Sequence, residues 1–479
     1  MISKKDFKKI NDYLWEISKY FRKDMRVPAR IYTSEKMLKD IEEGAIKQVI
    51  NVATLPGIVK YSLAMPDIHT GYGFVIGGIA ATKLPYGVIS PGGIGFDQNC
   101  GIRLLLSNYE EKEIKPYLDK LAVEIQNAVP SGLGKGRTEK LSIKQIDKIL
   151  QYGVPYLVKQ GYGDEQDIEN CEEQGKMEQA DVDCVSERAK NRGRNQVGTL
   201  GSGNHFLEIQ KVEEIFDEQV AKVFGLFKNQ IVIMIHTGSR GLGHQNCTDY
   251  LKVVMKAMPK YGIRLPDQEL AGVPFNSSEG QRFFSAMSAA SNYAWANRHM
   301  IMHYVRQAWK IVLQEKSNLK LLYDVAHNIA KIEEHNVDGK KINLLVHRKG
   351  ATRAFPPHHL EIPEKYKEVG QPVLIPGTMG TASYILTGTE KSTEAWHSVC
   401  HGAGRIMSRR SAIRKISGQK VINDLQSKGI IIKSHSIRGI AEESPIAYKD
   451  INSVVEVVDN AGLAKKVAKL IPLAVIKGE

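Results

Sequence analysis

Between Ser90 and Arg103 the chain reads SPGGIGFDQNCGIR, with Asp97 and Cys100 three residues apart among four glycines, at 92, 93, 95 and 101. Glycine lets a backbone approach a ligand closely and take positive φ without steric penalty. A carboxylate and a thiolate so placed can converge on one cation, and a thiolate suits softer transition metals better than magnesium. A buried cysteine beside a turn-capping aspartate would use the same residues, because free cysteine is commonly buried. Three histidines bear on the choice. His205 in GTLGSGNHFLEIQ, His236 in NQIVIMIHTGSRGLGHQ and His327 in LLYDVAHNIAKIEEH each adjoin an apolar, strand-like run. Singly, each reads as a hydrogen-bonded core histidine. Together with Asp97 and Cys100, if the fold brings all five together, they would make a five-ligand set for two cations sharing the thiolate. Paired cations about 3.5–4 Å apart are a general device for phosphoryl chemistry.

His401 has a different setting. HGAGR puts it before small residues and Arg405, with Arg409 and Arg410 close behind. Small residues let a phosphate reach the backbone, and arginines neutralise it. A neutral imidazole is also a competent nucleophile at phosphorus, although a helix-packing Gly-Ala-Gly with a surface histidine would read the same way. The segment HTGSRGLG, with Arg240, reads as a glycine-rich basic loop suited to an anion; it contains no G-x-x-x-x-G-K-[ST]. His299 and His303 share a helix face at i, i+4, but no glutamate follows the first, and the pair is not assigned a metal.

Elements must carry these groups to one place. Ile10, Leu14, Ile17 and Phe21 predict an amphipathic helix over 5–22, and a second helix follows over 34–50. PDIHTGYG, 66–73, reads as a turn carrying Asp67 and His69, and 72–106 as Gly-punctuated strands. Helices are expected over 110–128, 142–158, 184–192 and 278–317. Strands then carry His327, INLLVHRKGATRAF and PVLIPGTMGTASYIL. Residues 396–412, WHSVCHGAGRIMSRRSA, read as a helix. KGIIIKSHS reads as strand-like, 450–469 as a helix and AVIKGE as a terminal strand. The acidic stretch 164–183, with a single lysine, reads as a solvated surface insertion.

A formal charge of +13, from 66 basic and 53 acidic residues, favours a polyanionic partner such as nucleic acid. Five cysteines with no C-x-x-C pair argue against a disulfide scaffold and for a reducing compartment. With neither an apolar leader nor a membrane-length run read in the sequence, a cytoplasmic protein is expected. No repeat or low-complexity linker divides the chain, so one large domain over 1–479 is expected.

FDQNCG, GTLGSGNHFLE, HTGSRGLG, DVAHN, VHRKGATRAFPP, PGTMGTASY, HGAGR and the terminal IKG occur here in that order. In this the chain resembles the RtcB family of RNA-splicing ligases over essentially its whole length. One departure is Gln98 in DQNC, where an aliphatic residue is expected. The resemblance implies a mixed α/β (α+β) fold with β-sheets around a central metal cleft and peripheral helices. It implies a GTP-dependent ligase that uses two manganese ions, with Cys100 shared, Asp97 and His205 completing one site, and His236 and His327 the other. His401 would carry GMP, with Gly402, Ala403 and Gly404 beside it. Asn204 would contact phosphates, and Glu208, Ser383, Tyr448 and Lys477 would form the guanine side. Arg192, Arg240 and Arg409 are the candidates for RNA phosphates. The implied substrates are RNA 2′,3′-cyclic phosphate or 3′-phosphate ends and 5′-hydroxyl ends, from tRNA halves or broken RNA. A monomer is expected, and a need for an activating protein partner stays open. A dinuclear phosphoesterase and a non-catalytic RNA-binding protein are the alternatives.

Overall fold

The computed structural model describes residues 4–314 and 319–478. Its two large sheets carry most of the chemistry-bearing residues, while His401 follows a separate strand pair, Ala351–Arg353 with Ser398–Cys400. An eight-stranded sheet runs in the order Lys320–Ala326, Gly101–Glu110, Gln230–Thr237, Phe206–Ile215, Ala464–Lys477, Ser383–Gly388 and Pro372–Ile375, with Ile431–Ser434 parallel to Ala464–Lys477. A seven-stranded sheet has the order Phe7–Asn11, Leu14–Ile17, Ala29–Tyr32, Ile58–His69, Ile76–Lys83, Lys340–Lys349 and Asn328–Val337. Helices pack outside both, which is the mixed α/β class expected.

The strand Gln230–Thr237 shows why the sheet forms here. Side chains alternate between faces along a strand, and both faces of this one are covered. Ile231, Ile233 and Ile235 pack with Leu121, Ile125 and Ile301 from two helices. Val232 and Met234 point the other way, towards Phe224 and Tyr366. The same parity puts His236 on the Val232 face, paired in register with Phe206 and Ile102.

The long helix Ser278–Leu313 holds the loops at the strand ends; the 315–317 end of the helix expected there lies outside the described residues. Asn297 accepts from the amides of Gly198 and Thr199 and donates to the carbonyls of Thr199 and Gly238. Arg298 donates to the carbonyls of Asn99 and Thr237 and pairs with Asp324, which also holds Arg103 at 2.7 Å. All three charged groups of that cluster are fully buried. Removing one partner from such a cluster strands an uncompensated charge, at a cost of about 3–5 kcal/mol.

Several local expectations fail. Residues 5–22 are not a helix but a strand pair, Phe7–Asn11 with Leu14–Ile17, and the supposed apolar stripe is split. Leu14 and Ile17 are buried, whereas Ile10 and Phe21 are 39% and 40% exposed. Pairing with Ala29–Tyr32 supplies the backbone bonds that a solvated helix would have supplied itself. The helix expected over 34–50 is two, Glu35–Leu38 and Glu43–Val52. Asp67 and His69 lie in the strand Ile58–His69, not in a turn.

The helix expected over 396–412 is replaced by the short strand Ser398–Cys400, a loop, and a helix that starts only at Arg409 under a Ser408 cap. Trp396 and His397 have φ of 54° and 48°, and Ser398–Cys400 pairs with Ala351–Arg353. Arg240 is not in a loop; it begins the helix Arg240–Ala257. The helix expected over 450–469 stops at Ala461, capped by Gly462 at φ 79°, and the terminal strand begins at Ala464.

The acidic stretch is not simply solvated. Asp167 and Glu172 are buried, Asp167 on Arg306 at 2.6 Å and Glu172 on Lys331. Their partners lie more than a hundred residues away, out of reach of a local reading.

Candidate active site

The ends of four strands converge on the proposed ligands. Cys100 directly precedes Gly101–Glu110, His205 precedes Phe206–Ile215, His236 closes Gln230–Thr237, and His327 sits between Lys320–Ala326 and Asn328–Val337. The backbone ties them: His327 donates its amide to the Cys100 carbonyl at 2.8 Å, and Asn99, at φ 52°, donates to Asn328 at 2.7 Å.

Cys100 Sγ lies 3.3 Å from both His205 Nε2 and His236 Nε2. Those three ligand atoms fall within 4.8 Å of one another, the one such group among the described residues. Asp97 Oδ2 is 2.8 Å from His205 Nε2. His327 falls outside that group but lies beside it, its ring centroid 5.2 Å from that of His236. Gly238 is needed beside them, because a Cβ there would come 2.4 Å from Asp97 Oδ1.

The electrostatics suit a cation. Burial, reinforced by neighbouring imidazoles, holds His236 and His327 well below the usual histidine range, so both are neutral donors at pH 7. Burial pushes Asp97 up, but adjacent His205 outweighs it and leaves the carboxyl at about 2. Burial and Asp97 together push the Cys100 thiol well up. A thiolate therefore needs a metal here, since metal binding displaces the ligand's proton. Buried His236 Nδ1 and His327 Nδ1 have no hydrogen-bond partner. Thiol, carboxylate and three imidazoles fit divalent transition-metal binding. His299 and His303 do not join the group: His299 meets the Tyr162 carbonyl, and His303 meets Gln307 at 2.9 Å.

His401 lies across from His327, ring centroids 5.0 Å apart. Its Nδ1 is 2.5 Å from Asp67 Oδ2, and its amide donates to the same oxygen at 2.9 Å. Asp67 is fully buried; burial raises its carboxyl, but His401 and then Lys449 bring it below the usual range. An ionised Asp67 accepting from Nδ1–H fixes the tautomer and leaves the Nε2 lone pair for chemistry. Gly404, at φ 74°, makes the close passage possible, since a Cβ there would meet the Asp67 carbonyl at 2.1 Å.

Both groups open on one cavity of about 1100 Å³. Asn204, Tyr448, Lys477, Gly402, Ala403, Gly404, Arg192, Arg240 and Arg409 line it. Arg240 Nη2 donates to the Gly132 carbonyl, Arg192 Nη1 to Gln245, and Arg409 Nε to Glu443 at 3.0 Å. Lys477 Nζ donates to the carbonyls of Gly203 and His205, and Tyr448 bonds Glu443. Glu208 and Ser383 are buried behind the lining and joined by Gln210, whose Nε2 reaches Glu208 Oε2 at 2.6 Å and Ser383 Oγ at 3.1 Å. Glu208 Oε1 is a buried acceptor without a donor.

Sequence reasoning missed Asp67, Gln210, Asn297 and Arg298. Asp67 was visible as a carboxylate in PDIHTGYG, but its partner lies 334 residues away. Arg298 gave no local sign of its role, since its partners Asn99, Thr237 and Asp324 lie on other segments.

Clustered thiol, carboxylate and imidazoles at the wall of a basic cavity belong to an enzyme, and comparison with known proteins narrows the class to RNA ligases. A family model described as "tRNA-splicing ligase RtcB" matches residues 48–478. The tRNA-splicing ligase RtcB of Archaeoglobus fulgidus is 53% identical over 475 residues, spanning 98% of each chain. That of Thermococcus kodakarensis is 52% identical over 476 residues, again 98% of each, and that of Methanococcus maripaludis 51% over 474, covering 98% of this chain and 99% of its own. The chain belongs to the RtcB family.

No helix among the described residues is long and apolar enough to cross a membrane.

Proposed function

We propose that this chain, working as one catalytic domain, is a GTP- and manganese-dependent RNA ligase that joins RNA 2′,3′-cyclic phosphate or 3′-phosphate ends to 5′-hydroxyl ends. The observation that carries the reading is the Asp67–His401 pair, 2.5 Å apart, beside the ligand group on a wall of the basic cavity.

His401 Nε2 attacks the α-phosphorus of GTP; an N–P bond forms and the bond to pyrophosphate breaks. Asp67 stabilises the positive charge that develops on the imidazole by holding the proton on Nδ1. Water opens a cyclic phosphate end to a 3′-phosphate, one of whose oxygens attacks the guanylyl phosphorus. The N–P electron pair returns to Nε2, and the RNA now ends in 3′-ppG. The 5′-hydroxyl of the second RNA attacks the 3′-phosphorus, GMP leaves, and the hydroxyl proton passes to solvent. A 3′-phosphate is a poor electrophile until the nucleotide makes it part of an anhydride, which is why the guanylyl step precedes joining.

Asp97, Cys100 and His205 would hold one manganese, and Cys100, His236 and His327 the other. When bound, the ions supply Lewis-acid neutralisation of phosphate charge. Glu208 and Ser383, with Tyr448 and Lys477, serve the guanine. Arg192, Arg240 and Arg409 bind RNA phosphates, which position a strand without reading its sequence. The protein acts as a monomer in the cytoplasm, on tRNA halves or broken RNA.

Incubation with labelled GTP and manganese should give an acid-labile protein adduct, and RNAs with cyclic-phosphate and 5′-hydroxyl ends should be joined. Hydrolysis of phosphoesters with no adduct would instead make the protein a dinuclear phosphoesterase.

Asp67→Asn tests the role of the buried carboxylate. An asparagine can accept from Nδ1–H or donate to Nδ1, but it cannot stabilise the cation. Adduct formation should slow by about 10²–10⁴-fold, the range of a positioned acid–base group, with the loss of a histidine's orienting carboxylate at its upper end. Manganese content should be unchanged. Adduct formation at the parental rate would remove Asp67 from the mechanism.

Glu208 should set the pH dependence of GTP binding. Burial, only partly offset by Gln210 and Lys477, raises its carboxyl to about 8. At pH 7 the empty site therefore holds a protonated Glu208, while guanine N1–H and its amino group need an acceptor. Binding must release that proton, so GTP affinity should rise about tenfold per pH unit below 8 and level off above it. Glu208→Gln should lose this slope and, with it, much of the preference for GTP over ATP. Calorimetric titrations of both nucleotides at pH 6.5, 7.5 and 8.5 measure this; parallel slopes in parent and variant would place guanine elsewhere.

A further inference from the structure

Three aromatic rings on the cavity wall have no part in the steps above. Phe96 meets Tyr72 edge-on, centroids 5.2 Å apart at 68°, and stacks against His244 at 4.9 Å and 26°. All three line the cavity. Tyr72 and Phe96 are half-buried and His244 is exposed. They come from three segments: the turn after Ile58–His69, the loop that carries Asp97, and the first turns of Arg240–Ala257. Convergence of separate segments on one ring stack is a built surface, and apolar ring faces left open to water carry a hydrophobic cost that a ligand would relieve.

Basic side chains share the wall with the rings, and burial lowers one of them, Lys349, to about 7. Lys349 Nζ donates to the Tyr72 carbonyl at 2.7 Å and lines the same cavity, as do Arg192 and Arg240. Rings beside cations form the arrangement that holds single-stranded nucleic acid, with bases stacking on the rings and phosphates meeting the charges. Phe96 immediately precedes a proposed metal ligand, so a base on this stack would belong to a nucleotide close to the reacting phosphate.

We propose that Tyr72, Phe96 and His244 form a stacking platform for the terminal nucleobase of an RNA end. Phe96 backs the His244 ring, and the base continues that stack on the exposed imidazole. The inference rests on the ligase reading and deepens it. Every base has a π-face, so the platform is tolerant of sequence and orients the end without selecting it.

The test uses two RNA strands and the full-length, manganese-loaded protein. One strand carries 2-aminopurine as its last base before a 3′-phosphate; the other carries it as the first base after a 5′-hydroxyl. Stacking quenches 2-aminopurine, and the strand that is quenched identifies the end. His244→Ala should relieve that quenching and weaken binding of that strand about five- to a hundredfold, leaving the other strand unchanged. Phe96→Leu, which keeps apolar volume beside Asp97, should act in the same direction. Removing the terminal base should cost the parent the same factor and cost His244→Ala nothing further. GTP affinity, adduct formation and metal content should be those of the parent.

Equal quenching in parent and variants, or additive losses from the variant and the abasic end, would overturn the platform. A loss of GTP affinity in His244→Ala would overturn it too, by assigning the rings to guanine. Quenching does not require joining. A parent that quenches an end but neither joins RNA nor takes up GMP would count against the ligase reading and still support the platform.

Discussion

Cys100→Ala should give a folded chain that has lost stoichiometric manganese and ligates at least about a thousandfold more slowly, the scale of several kcal/mol of charge stabilisation. The fold should survive because the loop is held by backbone and by Arg298, not by the thiol. The Cys100 amide bonds Asp97, Asn99 bonds Asn328, and Arg298 grips Asn99 through both its carbonyl and its side chain. The metal should be lost because Cys100 Sγ is the atom within 3.3 Å of both His205 and His236. Cys247→Ala is the matched control: also a buried thiol, but its nearest polar partner is the Pro91 carbonyl at 4.0 Å. It should keep both metal and activity. Elemental analysis, thermal melting and a ligation assay on the two variants decide the matter. A Cys100→Ala protein with full metal and parental ligation would sink the ligand assignment.

The proposed ligand histidines were legible because each adjoins a strand whose own residues announce it, while Asp97 and Cys100 stood out among the glycines of a loop. IVIMIH alternates between two apolar surfaces, and continuing that alternation by two residues from Met234 lands His236 on a defined face. That is local information. The failures lie where a partner far along the chain decides the outcome. Leu14 and Ile17 fit a helical stripe with Ile10 and Phe21 until Ala29–Tyr32 offers them a sheet edge. The segment around His401 reads as a helix, yet Ser398–Cys400 pairs with Ala351–Arg353, and Gly404 must pass against Asp67. Glu172 reads as solvated until Lys331 and Arg353 bury it. Asp67 belongs to the same class. A carboxylate in a strand signals nothing until the histidine it orients arrives from the other end of the chain. Arg298 shows the limit most plainly, for an arginine between Asn297 and His299 on a long helix gives no sign of which loops it will hold. Here it is fully buried and pins the loops behind Cys100 and His236.

His401→Ala should separate the nucleotide step from the joining step. His401 is outside the five-ligand set, and its side chain is held by Asp67, not by Cys100 or His205. The variant should therefore bind manganese as the parent does. It should form no guanylylated protein and should join no RNA when supplied with GTP, because no other nucleophile is positioned there. His327, 5.0 Å away between ring centroids, is proposed to hold metal; His69 is farther, at 6.5 Å, and its Nδ1 faces the Asp67 carbonyl while burial lowers it to about 4. Loss of the Asp67 partner adds a buried carboxylate without its histidine, so some loss of stability is expected, and melting curves must accompany the assay. Given RNA already ending in 3′-ppG, the same variant should complete the joining step at a rate near the parent's, since the work of the imidazole is over by then. Cys100→Ala should fail on that same substrate. An adduct that persists in His401→Ala would move the nucleophile elsewhere. Failure to join pre-activated RNA despite full metal occupancy and an intact melt would mean that His401 acts in the last step as well, and the order of events proposed for this cavity would have to be redrawn.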